Sequence, residues 1–192
     1  MPVSVSNTSE EAGSGNSTPD ISVVIPLFNE VENIPSVLDE LTKSLKGRGF
    51  EIICVDDGSQ DGTIEVVREF AKTDSRVLGV CLTRNFGQTA ALMAGLDYAR
   101  GAIIVSIDGD GQNDPADIPR LIEMLSQGYD VVSGWRVERH DTLGRVVLSR
   151  AANWIASRVA GVRLHDFGCT LKAYKREVLQ GVRLYGELHR FV

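Results

Sequence analysis

IIVSIDGDGQ, residues Ile103 to Gln112, decides the reading of this chain. Four of its first five residues are apolar, and the run then meets Asp108, Gly109, Asp110, Gly111 and Gln112. A short Ile- and Val-rich run bounded by glycine reads as a buried strand of a parallel sheet. The carboxylates follow at its C-terminal end, the rim where ligands bind in open α/β sheets. The glycine between Asp108 and Asp110 lets the chain bend, so both carboxylates can converge on one hard cation, and Gln112 adds a neutral oxygen. So small an oxygen set points to Mg²⁺ or Mn²⁺ completed by water and substrate phosphate, rather than to a closed Ca²⁺ cage. An acidic surface turn is the other reading of the same residues.

Upstream, the chain alternates strand and helix. Ile21 to Leu27 reads as a first strand, and Val31, Ile34, Val37, Leu38, Leu41 and Leu45 then recur at helical spacing. Asn29 is the expected cap of that helix, with Glu30 and Glu32 near its positive end and Gly47 and Gly49 closing it. Glu51 to Val55 is a second strand ending in Asp56-Asp57-Gly58-Ser59. Asp61 is placed to cap a helix from Thr63 to Ala71. Val77 to Leu82 is a third strand, and Thr89 to Ala99 a helix rich in Ala and Leu. Downstream of the quoted stretch, Pro115 suits the first turn of a helix reaching about Leu125, and Tyr129 to Ser133 is a fifth strand. This alternation predicts an α/β fold, a single domain with a mostly parallel sheet flanked by helices.

Past Arg136 the pattern changes. Leu143 to Val159 reads as a longer helix with Arg145, Arg150 and Arg158 set among apolar residues. It suits either a membrane interface or ordinary core packing with a wet basic side. A turn and a strand follow from Asp166 to Tyr174.

The 192 residues fit one domain, 21–192, behind a Ser-, Thr- and Gly-rich segment, 1–20, expected to be a disordered tail. That segment has no Lys, Arg or apolar core, so it does not read as a signal peptide. The net charge of −6 is unevenly spread: residues 133–192 carry 11 Lys and Arg against 5 Asp and Glu, and residues 1–132 carry 9 against 21. A basic segment on an acidic chain can meet phosphates, lipid headgroups or nucleic acid. Three cysteines without metal spacing favour a reducing compartment, and Cys54 and Cys81 sit in apolar runs as small hydrophobes. No apolar run approaches the length of about 18 residues that marks a membrane span. Several ligand classes lose their signature. There is no Gly-x-Gly-x-x-Gly and no Gly-x-x-x-x-Gly-Lys, and the loop from Asp108 lacks the Gly and Glu of an EF-hand.

Five segments then line up with one family: VVIPLFNE (Val23 to Glu30), VDDGSQDGT (Val55 to Thr63), LTRNFGQTAALMAGL (Leu82 to Leu96), DGDGQNDP (Asp108 to Pro115) and DFGCTLKAYKRE (Asp166 to Glu177). Together they resemble the family 2 glycosyltransferases of the A-type nucleotide-sugar fold. Within that family the chain resembles the polyprenyl-phosphate sugar transferases, and the RNFGQ loop and DFGC segment bring it nearest the bacterial undecaprenyl-phosphate branch. The resemblance covers about residues 21 to 192. It implies that a complete member continues with more chain than is present here. Thr170 and Leu171 depart from the Gly and Phe of mannose synthases, which bears on acceptor geometry.

The resemblance implies a set of roles. Pro26, Leu27, Asn29, Glu30, Asp57 and Asp108 bind the nucleotide, with Asp57 on the base. Asp108, Asp110 and Gln112 hold Mg²⁺ or Mn²⁺ on the diphosphate. Asp110 and Arg136 are the catalytic residues, and Arg136, Arg145, Ser149 and Lys172 meet the acceptor phosphate. The implied partners are a UDP- or GDP-sugar donor, a polyprenyl phosphate acceptor and the cytoplasmic face of the inner membrane, with no nucleic acid and with a homo-oligomer left open. For Asp56 and Asp57, turn formation and helix capping stand beside binding. A sugar hydroxyl as acceptor, nucleotidyl transfer and nucleotide binding without turnover are the competing functions. His140, His165 and His189 are scattered and suggest no obligatory base. A phosphate monoester needs none, because its second pKa of about 6 leaves it largely dianionic at neutral pH.

Overall fold

The computed structural model describes residues 3–6, 18–135 and 169–182. Seven strands form one sheet in the order β1-β4-β3-β2-β5-β7-β6. The strands are β1 (Val3–Ser6), β2 (Ile21–Leu27), β3 (Phe50–Asp56), β4 (Val77–Leu82), β5 (Ile103–Ser106), β6 (Val131–Ser133) and β7 (Lys172–Lys175). The central four, β4-β3-β2-β5, are mutually parallel, and β1 and β7 add antiparallel pairs on either side. The helices are α1 (Ile34–Ser44), α2 (Thr63–Thr73), α3 (Gln88–Tyr98), α4 (Ile118–Ser126) and the short α5 (Arg176–Leu179).

Two apolar clusters cover the two faces of the sheet. Ile21, Val23, Ile25 and Leu27 of β2 alternate onto the face packed by α1, α2 and α4, whereas Val24 turns to the face covered by α3. That is the period-2 alternation of a strand buried on both sides. Helix α1 buries Ile34, Val37, Leu38 and Leu41, and α4 buries Ile118, Leu121, Ile122 and Leu125, each at the spacing of one helical face. Burying each such side chain stabilises the fold by about 1.5–3 kcal/mol. Helix α3 presents small residues instead. At Gly95 an added Cβ would strike the Val24 side chain, so glycine is what lets α3 lie close on the sheet. Cys54 is fully buried, and burial pushes its thiol up to about 12, which makes it an inert hydrophobe as expected.

Several boundaries differ from expectation. Residues 1–20 are not structureless throughout. Val3–Ser6 pair antiparallel with β4, because the open edge of β4 offers unpaired backbone groups to an extended segment. Residues 7–17 lie outside the described part. Helix α1 begins at Ile34 behind Asn33, not at an Asn29 cap. Asn29 takes a left-handed φ of 57° and serves the site instead. Asp114 accepts the Ala116 N–H at 2.8 Å over a 3-10 turn, Pro115–Asp117, and the α-helix follows at Ile118. The fifth strand is the short β6, and β7 inserts antiparallel between it and β5. The helix expected over residues 143–159 falls outside the described residues.

Candidate active site

Strand order places the site. The chain runs from β2 to β3 to β4 on one side, then crosses to put β5 on the other side of β2. At that reversal the connections leave in opposite directions and open a crevice at the carboxyl ends of β2 and β5. A cavity of about 320 Å³ lies there. Each of the four parallel strands sends residues to it: Pro26 and Leu27 at the end of β2 with Phe28 and Glu30 just beyond, Asp57 after β3, Asn85, Gly87 and Gln88 after β4, and Asp108, Gly109 and Asp110 after β5.

The rim is knit by side-chain bonds to the backbone. Asn29 accepts the Gln60 N–H at 3.0 Å, and its own N–H donates to Ser59 at 2.9 Å. The N–H groups of Glu30 and Val31 donate to Thr63 Oγ1 at 2.9 Å and to Asp61 Oδ2 at 3.1 Å. Asp61 Oδ1 also accepts the Thr63 N–H at 3.0 Å, so it does anchor the start of α2, from one residue outside the Gly62 cap. Asp56 accepts the Ser59 N–H at 3.3 Å. Burial raises its pKa, with the nearby charges of Asp61 and Glu65 adding to the effect and the bonds from Ser59 opposing it. Asp57 is 3% exposed, and its two oxygens accept the Phe86 N–H at 2.7 Å and the Gly87 N–H at 2.8 Å. That clamp needs Gly58. Its φ is +77°, and a Cβ there would stand 2.7 Å from the Arg84 carbonyl carbon.

Asp108 Oδ1 accepts from Gln88 Nε2 at 2.6 Å, and Asp110 Oδ1 accepts the Gln112 N–H at 3.0 Å. Asn113 Nδ2 donates to Thr170 Oγ1 at 3.0 Å and ties the acidic loop to the segment before β7. Four carboxylates, Glu30, Asp57, Asp108 and Asp110, therefore line one cavity, and among the described residues no Lys or Arg lines it. Two unit charges of the same sign about 5 Å apart repel by about 3 kcal/mol at an effective dielectric near 20. Such a site does not attract a diphosphate unaided. The donor set suits a hard divalent cation that takes two carboxylates and completes its shell with water and phosphate oxygens. Among the described residues no group of three or more His, Cys, Asp or Glu is placed to hold a metal ion on its own.

The sequence-predicted residues separate into four groups. Pro26, Leu27, Glu30, Asp57, Asp108 and Asp110 meet at the cavity. Asn29 and Gln112 do not line it: Asn29 braces the rim and Gln112 is exposed. Lys172 is buried and faces a second cavity of about 20 Å³, room for about one water, behind Asp108. Arg136, Arg145 and Ser149 lie outside the described residues. Sequence reasoning gave no role to Phe28, Asn85 or Gln88. Phe28 is 46% exposed on the cavity lip, and its only signal was an aromatic directly after a buried strand.

The glycosyl transferase family 2 model matches residues 22–183. The chain belongs to that family. It is 41% identical over 178 residues to dodecaprenyl-phosphate galacturonate synthase of Rhizobium johnstonii, covering 90% of this chain and 53% of that protein. It is 42% identical over 175 residues to undecaprenyl-phosphate 4-deoxy-4-formamido-L-arabinose transferase of Pseudomonas aeruginosa, covering 90% and 52%. This family 2 chain thus spans about half the length of the curated relatives it matches. Among solved structures it superposes on a mannosyltransferase of Pyrobaculum calidifontis in complex with GDP-Man and Mn²⁺, with a TM-score of 0.61, 25% identity, and coverage of 89% of this chain and 48% of that one. It also superposes on glucosyl-3-phosphoglycerate synthase of Mycobacterium tuberculosis in complex with Mn²⁺, UDP and glucosyl-3-phosphoglycerate, with a TM-score of 0.67, 26% identity, and coverage of 85% and 59%. The expected A-type glycosyltransferase fold is borne out, and no helix among the described residues is long and apolar enough to cross a membrane.

Proposed function

We propose that this chain is the nucleotide-sugar-binding part of an inverting, metal-dependent transferase that moves a sugar from a UDP- or GDP-sugar to a polyprenyl phosphate at the cytoplasmic membrane face. The observation that carries the reading is the cavity at the strand reversal, lined by four carboxylates and lacking a described cation. The names of the relatives support the acceptor, and the GDP-Man, UDP and Mn²⁺ of the structural neighbours support the donor and the metal.

Asp108 and Asp110 would hold a divalent cation, whose positive charge would offset that of the donor diphosphate and of the leaving group it becomes. Gln112, exposed beside them, is within the same loop and can join through water. Phe28 offers a ring face to the base. Asp57 retains a second lone pair on each oxygen beyond the backbone bonds, and these accept a base N–H. An oxygen of the acceptor phosphate attacks the anomeric carbon as the bond to the diphosphate breaks. No residue has to remove a proton, since the phosphate is already ionised. Arg136, Arg145 and Ser149 are the proposed acceptor contacts, with Arg136 and Asp110 on the reacting groups. Lys172, buried behind Asp108, is the fourth proposed acceptor contact.

The test is transfer of labelled sugar to undecaprenyl phosphate with Mn²⁺, using a full-length relative beside this chain. Glycolipid formed by the longer protein, and lost on Arg136→Ala with nucleotide affinity retained, supports the reading. Transfer to a glycan hydroxyl in preference to lipid phosphate contradicts it. A second reading for this chain alone is nucleotide binding without turnover, and a single-turnover assay separates the two.

A further inference from the structure

Asp108 has a neighbour that ties it to the far side of the site. The strand-end carboxylate Asp57 holds the loop after β4 by the N–H groups of Phe86 and Gly87. The next residue, Gln88, opens α3 and donates its side-chain amide to Asp108 Oδ1 at 2.6 Å. The loop is therefore a strap running from the end of β3 to the end of β5, over the mouth of β2. Gln88 and Asp108, with Pro26, line both the 320 Å³ cavity and the 20 Å³ cavity that Lys172 also lines. They form the wall between the two.

We infer that Gln88 is a positioning residue that fixes the Asp108 carboxylate in that wall through Oδ1, with the group oriented for a cation on the large-cavity side. The inference rests on the metal reading proposed above. Its physical basis is that a carboxylate on a short side chain rotates about two torsions, and the amide bond removes that freedom before the cation arrives. A glutamine suits the place better than a Lys or Arg. It donates a hydrogen bond without adding a positive charge that would compete with the cation for the same oxygens. The strap also gives the nucleotide side a mechanical link to the metal side, because the residues clamped by Asp57 immediately precede Gln88.

The test is a double-mutant cycle on this chain, read as Mn²⁺ affinity by electron paramagnetic resonance of free Mn²⁺ with UDP or GDP present. Gln88→Met keeps the shape and removes the donor. It should weaken Mn²⁺ about tenfold, the usual scale for losing an outer-shell partner of a metal ligand. On an Asp108→Asn background the same substitution should change affinity less than twofold, because its effect passes through the carboxylate. Gln88→Glu is the second variant. It is of equal length but sets a like charge against Asp108, and it should lose at least as much. Gln88 is half-buried and belongs to neither core cluster, so thermal melts should stay near wild type; should Gln88→Met lose its fold, Gln88→Glu carries the same comparison. No loss in Gln88→Met, or an equal loss on both backgrounds, overturns the positioning role alone. Unchanged Mn²⁺ affinity in Asp108→Asn, or no Mn²⁺ binding by wild type, overturns the metal reading and this inference with it.

Discussion

At the amino ends of β2 and β3, Glu51 is 5% exposed and surrounded by donors. Its Oε2 takes the Arg100 guanidinium at 2.6 and 2.8 Å, and its Oε1 takes the Arg100 N–H at 2.7 Å and the Ser22 hydroxyl at 2.6 Å. Ser22 in turn accepts the Gly101 N–H at 2.7 Å. At the opposite edge of the sheet, the carboxyl ends of β3 and β5, Asp57 and Asp110 are bonded to backbone N–H groups, and Asp108 to the Gln88 amide. One end of the sheet neutralises its carboxylate with a protein cation and completes its hydrogen bonds. The other end gathers four carboxylates around a cavity that no described Lys or Arg lines. A carboxylate with a guanidinium beside it is structural and finished. Carboxylates braced by neutral groups are fixed in place while their charge stays available to a ligand.

The sharpest way to break that contrast is to remove a charge from the cavity. Asp110→Asn should weaken Mn²⁺-dependent binding of UDP or GDP by at least about a hundredfold, since losing an outer-shell partner alone costs about 10–100-fold. Its melting temperature should not fall, because the substitution relieves crowding among like charges. Calorimetry beside a thermal melt reads both, and a destabilised Asp110→Asn protein would show that the acidic loop is structural.

The opposite end should respond in the opposite manner. Glu51→Ala leaves the Ser22 hydroxyl without its acceptor and the Arg100 N–H with only its 3.1 Å bond to Ser22 Oγ, a loss of about 1–3 kcal/mol in urea unfolding. Nucleotide affinity should remain as in wild type. A Glu51→Ala protein of unchanged stability would mean that the buried network is replaced by water at no cost.

Much of this division could be read from the chain. Strand β4 spans Val77–Leu82 as expected, and β2 and β3 were plain because fully buried strands are continuous Ile and Val runs. The acidic loop after β5 pointed to the cavity that it lines in the structure. What local pattern does not encode is pairing across distance. Strand β7 is only Lys172–Lys175, and its place between β5 and β6 depends on partners about 40 and 70 residues away. Gln88 and Asp108 are 20 residues apart and meet only because α3 begins over β2. Asp57 was ambiguous for a physical reason. An Asp after a strand serves equally as a turn former or a ligand, and here its oxygens clamp a loop that no spacing rule connects to it.

A smaller effect refines the comparison. Asp56 is buried beside the site with a folded pKa above its ordinary value of 3.8. A carboxyl raised in this way contributes stability that is complete below the unfolded value and is lost as pH rises through the folded one. At neutral pH its ionised form therefore costs the fold. Asp56→Asn keeps an acceptor for the Ser59 N–H and should raise the melting temperature at pH 7, by an amount corresponding to less than about 1 kcal/mol, with the gain vanishing near pH 3. A gain that persists at pH 3 would assign the effect to packing rather than to charge.

The central claim, that the carboxylate-lined cavity takes a nucleotide through a divalent cation, is tested most directly by titrating UDP and GDP into wild-type protein with Mn²⁺ and again with EDTA. The account predicts binding of at least one of the two nucleotides with Mn²⁺ and at least tenfold weaker binding in EDTA, because the carboxylates then repel the diphosphate. Equal affinity under both conditions, or binding of neither nucleotide with the metal present, would contradict it.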